Sequence, residues 1–158
     1  MMRKANGFSL IELLIVVAII GIVASIAIPN LLASRRAANE GSAQSSLRTI
    51  HSCELTYQAT TGRGSFATIA SLRGDFLTDA VLGSGQKSGY NFAATPSAAG
   101  VNPALFYATA VPTVISGVGQ TGTRRFGISE DGAMHGDSAA LTPYANEAAV
   151  KAAPAIGN

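Results

Sequence analysis

Tryptophan is absent and cysteine occurs once, as Cys53. No disulfide can therefore form within the chain, and its cysteines do not reveal its redox compartment. Charge is also scarce, since Asp, Glu, Lys and Arg make up 13% of the 158 residues while 47% are hydrophobic. The net charge of +2 comes from Arg3 and Lys4: eleven basic residues less these two leave nine, equal to the nine acidic ones. Neither the net charge nor any basic patch supports nucleic acid as a partner. No segment repeats. After Pro29 the chain is rich in Ala, Gly, Ser and Thr, which predicts a small core with much loop, and the length suits one domain of moderate size.

The few charges are placed unevenly. From Phe8 to Ile28, 21 residues, only Ser9, Glu12 and Ser25 interrupt a run of Leu, Ile, Val, Ala, Phe and Gly. As a helix this run is roughly 30 Å long, the thickness of a bilayer's hydrocarbon core. A charged side chain inside such a segment costs a few kcal/mol, on the order of 3 at the centre, so Glu12 is a functional candidate that calls for a partner. The plainer reading is an acid that snorkels, or is protonated, near the membrane interface.

Arg3 and Lys4 followed by an apolar stretch also have the outline of a secretory signal. Two details disagree with that reading. The stretch is longer than the apolar region of an ordinary signal, and Ser25-Ile26-Ala27 is a poor cleavage site. Helical character also resumes directly after Pro29, with Leu31, Leu32, Ala33, Ser34, Arg35 and Arg36.

The run Gly7-Phe8-Ser9-Leu10-Ile11-Glu12-Leu13-Leu14-Ile15-Val16-Val17-Ala18-Ile19-Ile20-Gly21-Ile22, with Pro29 downstream, resembles the N-terminal signature of type IV pilins and the related pseudopilins. The resemblance covers roughly the first 30 residues, and no residue departs from the pattern. It implies that a membrane-embedded prepilin peptidase cuts between Gly7 and Phe8 and methylates the new Phe8 amine. It also implies a glutamate four residues beyond the new terminus, where Glu12 stands. Cleavage removes Arg3 and Lys4, which hold the leader on the cytoplasmic side, and exposes a positive amine. Two unit charges 4 Å apart attract by about 4 kcal/mol at an effective dielectric near 20, comparable with the cost of burying the acid. The value of the pair is therefore register more than stability. The expectation is that Glu12 meets the Phe8 amine of a neighbouring subunit as the helix leaves the bilayer for a helical filament.

Pro29 lacks a donor and crowds the carbonyl four residues earlier, so it predicts a kink or local melting, with Gly21 as a second weak point. The plainer reading is that Pro29 ends the membrane segment. Beyond it, the spacing predicts helix to about Thr60. Ala43, Leu47, Ile50, Cys53 and Tyr57 gather on one face, Glu54 blemishes that face, and Gln44, Ser45, Arg48 and Ser52 lie opposite. The expected organisation is a leader over 1–7, a transmembrane and filament-core helix over 8–28, its amphipathic continuation over 29–60, and a globular head over 61–158. Cys53 reads as a small core residue, having no basic cluster to activate its thiol.

Thr61-Gly62-Arg63-Gly64 stops the helix, and Ser71–Leu82 reads as loop with a short helical turn. Tyr90–Ala94, Leu105–Val111, and Arg124–Ser129 turning through Glu130-Asp131-Gly132 into Ala133–His135 read as strands. The fold class is thus α+β, a long kinked N-terminal helix packed against a small antiparallel sheet of three or four strands. Gly117–Gly122 reads as an exposed loop free to vary, and Tyr144–Ala153 as either a short helix or a loose tail.

Three apparent motifs are set aside. Gly83-Ser84-Gly85-Gln86-Lys87-Ser88 echoes a phosphate-binding loop, but Gln86 stands where glycine is needed. Glu130, Asp131, His135 and Asp137 cluster enough to raise a cation, although Asp131-Gly132 is better read as a turn. His51 has no paired ligand, and neither histidine has a nucleophile beside it. The expectation is a structural subunit without catalytic residues, metal or cofactor. It would insert in the inner membrane, pass through an assembly platform and polymerise into an extracellular type IV pilus. The competing readings are a pseudopilin or minor subunit of a type II secretion or DNA-uptake machine, and a secreted binding module with a conventional signal.

Overall fold

A computed structural model describes residues 7–97, 103–138 and 142–156. Packing divides them between Arg35 and Arg36 into two units. A single element crosses that boundary, the fifty-residue helix α1, Leu10–Ala59, which carries Pro29 in its interior.

In the first unit α1 has no core to pack against. Every Leu, Ile and Val from Leu10 to Leu31 is at least 47% exposed. The polar side chains there bond to their own helix, Ser25 Oγ donating to the Ile22 carbonyl at 2.7 Å and Asn30 Nδ2 to the Ile26 carbonyl at 3.1 Å. Such local bonds are how a polar side chain survives where water is absent.

The second unit begins with the amphipathic part of α1. Its buried face is Glu40, Ala43, Ser46, Leu47, Ile50 and Glu54, with Cys53 and Tyr57 half-buried against the same core. The stripe predicted from spacing is therefore the packing face. Two one-turn helices follow, α2 (Ile69–Leu72), capped by the Thr68 side chain, and α3 (Ala80–Gly83), capped by Asp79. Five strands come next, β1 (Gln86–Lys87), β2 (Tyr90–Pro96), β3 (Phe106–Pro112), β4 (Arg125–Ser129) and β5 (Met134–Asp137), paired antiparallel in sequence order. A last helix, α4, spans Glu147–Ala152.

The sheet has one strand more than the four allowed for. The addition is β1, from the stretch that echoes a phosphate loop. Ser88 and Gly89 take φ of +49° and +72° between the paired residues Lys87 and Tyr90, the left-handed pair that a two-residue hairpin turn requires. That stretch is a hairpin.

Alternation places Tyr90, Phe92, Ala94, Phe106, Ala108, Ala110, Phe126, Ile128 and Met134 in one core with Ala43, Leu47 and Ile50. β3 and β4 are buried on both faces, because the C-terminal stretch covers the second face. Tyr144 and Val150 pack so closely there that a Cβ on Gly127 would lie 2.9 Å from Val150 and 3.1 Å from the Tyr144 ring. Arg125 forks onto Asp137 at 3.0 Å, lies 4.0 Å above the Tyr144 ring and donates to the Thr142 carbonyl. His135 Nδ1 bonds the Ala153 carbonyl at 2.8 Å. Tyr144–Ala153 is thus neither loose nor simply helical; it is a covering layer ending in α4. Gly127→Val should push this layer off the sheet, costing about 2 kcal/mol as overpacking does and exposing residues 142–156 to limited proteolysis. Unchanged cleavage and melting temperature would contradict that packing.

The expectation of a freely varying Gly117–Gly122 loop fails in its second half. Gly122 is buried beneath the Tyr90 ring, Arg36 donates to Gln120 Oε1 at 3.1 Å, and Asn39 donates to the Thr121 carbonyl at 2.9 Å. Glu40 completes the clamp. Its Oε1 accepts from the Thr123 amide and hydroxyl at 2.8 and 2.7 Å, and its Oε2 from Arg124 Nε at 2.9 Å. Burial pushes the Glu40 carboxyl up, but the Thr123 donors and Arg124 outweigh it and hold the group below the ordinary carboxylate range.

Candidate functional site

The residues that the sequence marks for processing and assembly, Gly7, Phe8 and Glu12, lie at the start of the first unit. Gly7 and Phe8 precede α1 in irregular, exposed backbone, with Phe8 74% exposed. Nothing lies within 4 Å of where a Cβ on Gly7 would sit. The bond between them is therefore open to an incoming enzyme.

Ser9 and Glu12 are joined by geometry that the sequence reading missed. Glu12 Oε2 accepts from the Ser9 backbone N–H at 2.9 Å, and the Ser9 carbonyl accepts the first helical N–H, from Leu13, at 3.3 Å. This is one half of a capping box, and its signal, Ser-x-x-Glu ahead of an apolar run, stands in Ser9-Leu10-Ile11-Glu12. An acid in the first turn also complements the positive end of the helix. The Glu12 carboxylate is thus held at the helix N-terminus, on the backbone nitrogen that follows that of Phe8. Gly21 and Pro29 both lie within unbroken helix in the single subunit.

The remaining candidates disperse. Among the described residues no group of three or more His, Cys, Asp or Glu could hold a metal ion. Asp131 Oδ1 accepts from the Ala133 amide and the Ser129 hydroxyl, each at 2.9 Å, which makes it the turn residue at Gly132. Burial raises the Asp131 carboxyl, but the two donors overcome this and lower it. Glu130 takes Lys151 at 2.6 Å, and Asp137 takes the Arg125 fork. His51 lies 5.8 Å from the Phe106 ring, with Nε2 3.4 Å from the Glu130 carbonyl. Cys53 Sγ donates to the Phe76 carbonyl at 3.2 Å, and burial together with the Glu54 charge raises its thiol, as befits an unreactive packing residue.

The match to a known family model falls on the N-terminal stretch. Residues 2–28 match the prokaryotic N-terminal methylation motif. The chain is 67% identical over 39 residues to the type IV wide pilus major component PilA4 of Thermus thermophilus, covering 25% of this chain and 30% of that one. It is 41% identical over 54 residues to the type IV major pilin protein PilA of Myxococcus xanthus, covering 34% and 24%. It is 49% identical over 39 residues to the type II secretion system core protein G of Vibrio cholerae, covering 25% and 27%. Each match spans less than a third of the relative. No solved structure matches the chain significantly. By motif and by these partial matches the chain is similar to type IV pilins and to a pseudopilin, and it has an α+β arrangement of a long N-terminal helix and an antiparallel sheet.

Proposed function

We propose that this chain is a structural subunit of a type IV pilus. It is cut between Gly7 and Phe8, methylated on Phe8, held in the inner membrane by the first half of α1, and polymerised with its copies through that helix. The observation that carries the reading is the exposed apolar surface of α1, where an 18-residue window of mean hydropathy 2.9 contains no residue buried within the subunit. Leaving some fifteen large apolar side chains (Phe8 to Leu31) in water is unfavourable by on the order of 20 to 40 kcal/mol at about 1.5 to 3 kcal/mol each. Lipid before assembly, and neighbouring copies after it, remove that cost.

In this reading Glu12 keeps its place at the helix start and exchanges the Ser9 N–H for the Phe8 amine of a neighbour. Pro29 and Gly21 are where the helix bends or unwinds in the filament, since the missing Pro29 N–H leaves one carbonyl without its usual donor. Replacing Gly7 by valine puts a branched side chain at the cut site. The expected result on immunoblots of membrane fractions is accumulation of uncut precursor and loss of surface filaments; a processed Gly7→Val protein at normal levels would overturn the assigned cleavage site. The pseudopilin reading is supported by the match to core protein G. The two separate on deletion of the gene: loss of surface filaments with secretion intact fits a pilus subunit, and the reverse fits a pseudopilin.

A further inference from the structure

Glu54 has no part in processing or assembly as proposed, yet it is the one acid of the second unit with no exposed surface at all. It lies on the packing face of α1 beside Ile50. One carboxyl oxygen accepts from the Ala67 N–H at 2.9 Å, and the other is buried without a hydrogen-bond partner. No ion pair among the described residues includes it. The titratable and charged groups on the elements around it are His51, Cys53 and Tyr57 of α1, and Arg63, Arg73 and Asp75 of the stretch that follows. The last three are exposed. An ionised carboxylate in this place keeps one hydrogen bond and no countercharge, which is the costly state for a buried acid.

What the acid holds is the returning stretch from Thr61 to Leu77. That stretch folds over the end of α1 through the Gly62 and Gly64 amides, which donate to the Tyr57 and Gln58 carbonyls at 2.7 and 3.0 Å. It is anchored by Ala67 on Glu54, Phe76 on Cys53, an edge-on Tyr57–Phe76 contact at 5.3 Å, and Phe66 against Phe106 at 4.6 Å. Glu54 is the only ionisable group in that seam without a surface outlet.

We infer that Glu54 is a proton-controlled lock, neutral when residues 61–77 are docked on α1 and loosening that stretch when it ionises. Burial raises the Glu54 carboxyl to about 7, against the smaller opposing effect of the Ala67 N–H. The sign follows: the folded value lies above the free one, so docking is strongest in acid and weakens as pH rises from about 4.5 to about 7.

The test is amide hydrogen exchange at Ala67 in the full chain in detergent, expressed as protection relative to an unstructured amide, alongside NMR titration of the Glu54 carboxyl carbon. Protection in the wild type is expected to fall about tenfold between pH 6 and pH 8, to be independent of pH in Glu54→Gln, and to track a carboxyl titrating near 7. Equal pH dependence in the two proteins, or a wild-type carboxyl titrating near the ordinary carboxylate value, would overturn the lock. Should Glu54→Gln fail to fold, the wild-type carboxyl titration alone decides.

Discussion

Cells carrying Glu12→Leu in place of the wild-type chain are expected to insert and process the subunit yet display no filaments. Leucine raises the apolar character of the segment, so membrane insertion does not suffer. What disappears is the only charged side chain between Phe8 and Ile28, and with it the group proposed to fix the register of one helix against the next. The capping bond to the Ser9 N–H supplies a rival explanation, because leucine also removes the cap. Glu12→Gln separates the two. Glutamine serves in a capping box as glutamate does, but it cannot attract an amine. Absence of filaments in both variants assigns the role to charge; normal filaments in Glu12→Gln would assign it to the cap and defeat the pairing with Phe8.

Glu40→Ala is expected to be strongly destabilising for the second unit. It removes the acceptor for the Thr123 amide, the Thr123 hydroxyl and Arg124 together, and leaves those donors to find water or go unpaired. At about 1.5 to 3 kcal/mol for a hydrogen bond to a charged group, with the bonds overlapping in one clamp, the loss is about 3 kcal/mol. A melting temperature lower by roughly 10 °C follows. The wild type also carries a pH signature. Because the Glu40 carboxyl is lowered in the fold, its contribution is present above the ordinary carboxylate range and is lost as pH falls through its folded value. Glu54 works with the opposite sign, so stability declines on both sides of a mildly acidic optimum. Glu40→Ala should flatten the acid side, and thermal melts across pH that keep that side steep would count against the clamp.

These two acids mark where linear reading succeeds and where it stops. The packing face of α1 was legible because Ala43, Leu47, Ile50, Cys53 and Tyr57 repeat at helical spacing, and that repeat is a property of the helix alone. Glu54 was visible there only as a blemish, since its burial depends on a stretch that returns thirteen residues later. Glu40 gave no signal, because its partners are 83 and 84 positions away. The Asp131-Gly132 turn and the strands around it carried local turn chemistry. β1 did not, being two residues long and hidden in a glycine-rich stretch that invited a different interpretation. Tyr144–Ala153 was undecidable from its alanines, because what orders it is Arg125, Asp137 and His135 on the far face of the sheet. The proposed processing site rests on the most local signal, since Gly7, Phe8 and Glu12 stand within six consecutive residues.

The mass and sequence of the N-terminus of the native protein test the proposed assembly route most directly. The expected result is a chain that begins at Phe8 and carries a single methyl group on its amine, recovered from sheared surface filaments. A soluble protein that retains Met1 to Gly7, or one that begins near Ile28, would contradict it.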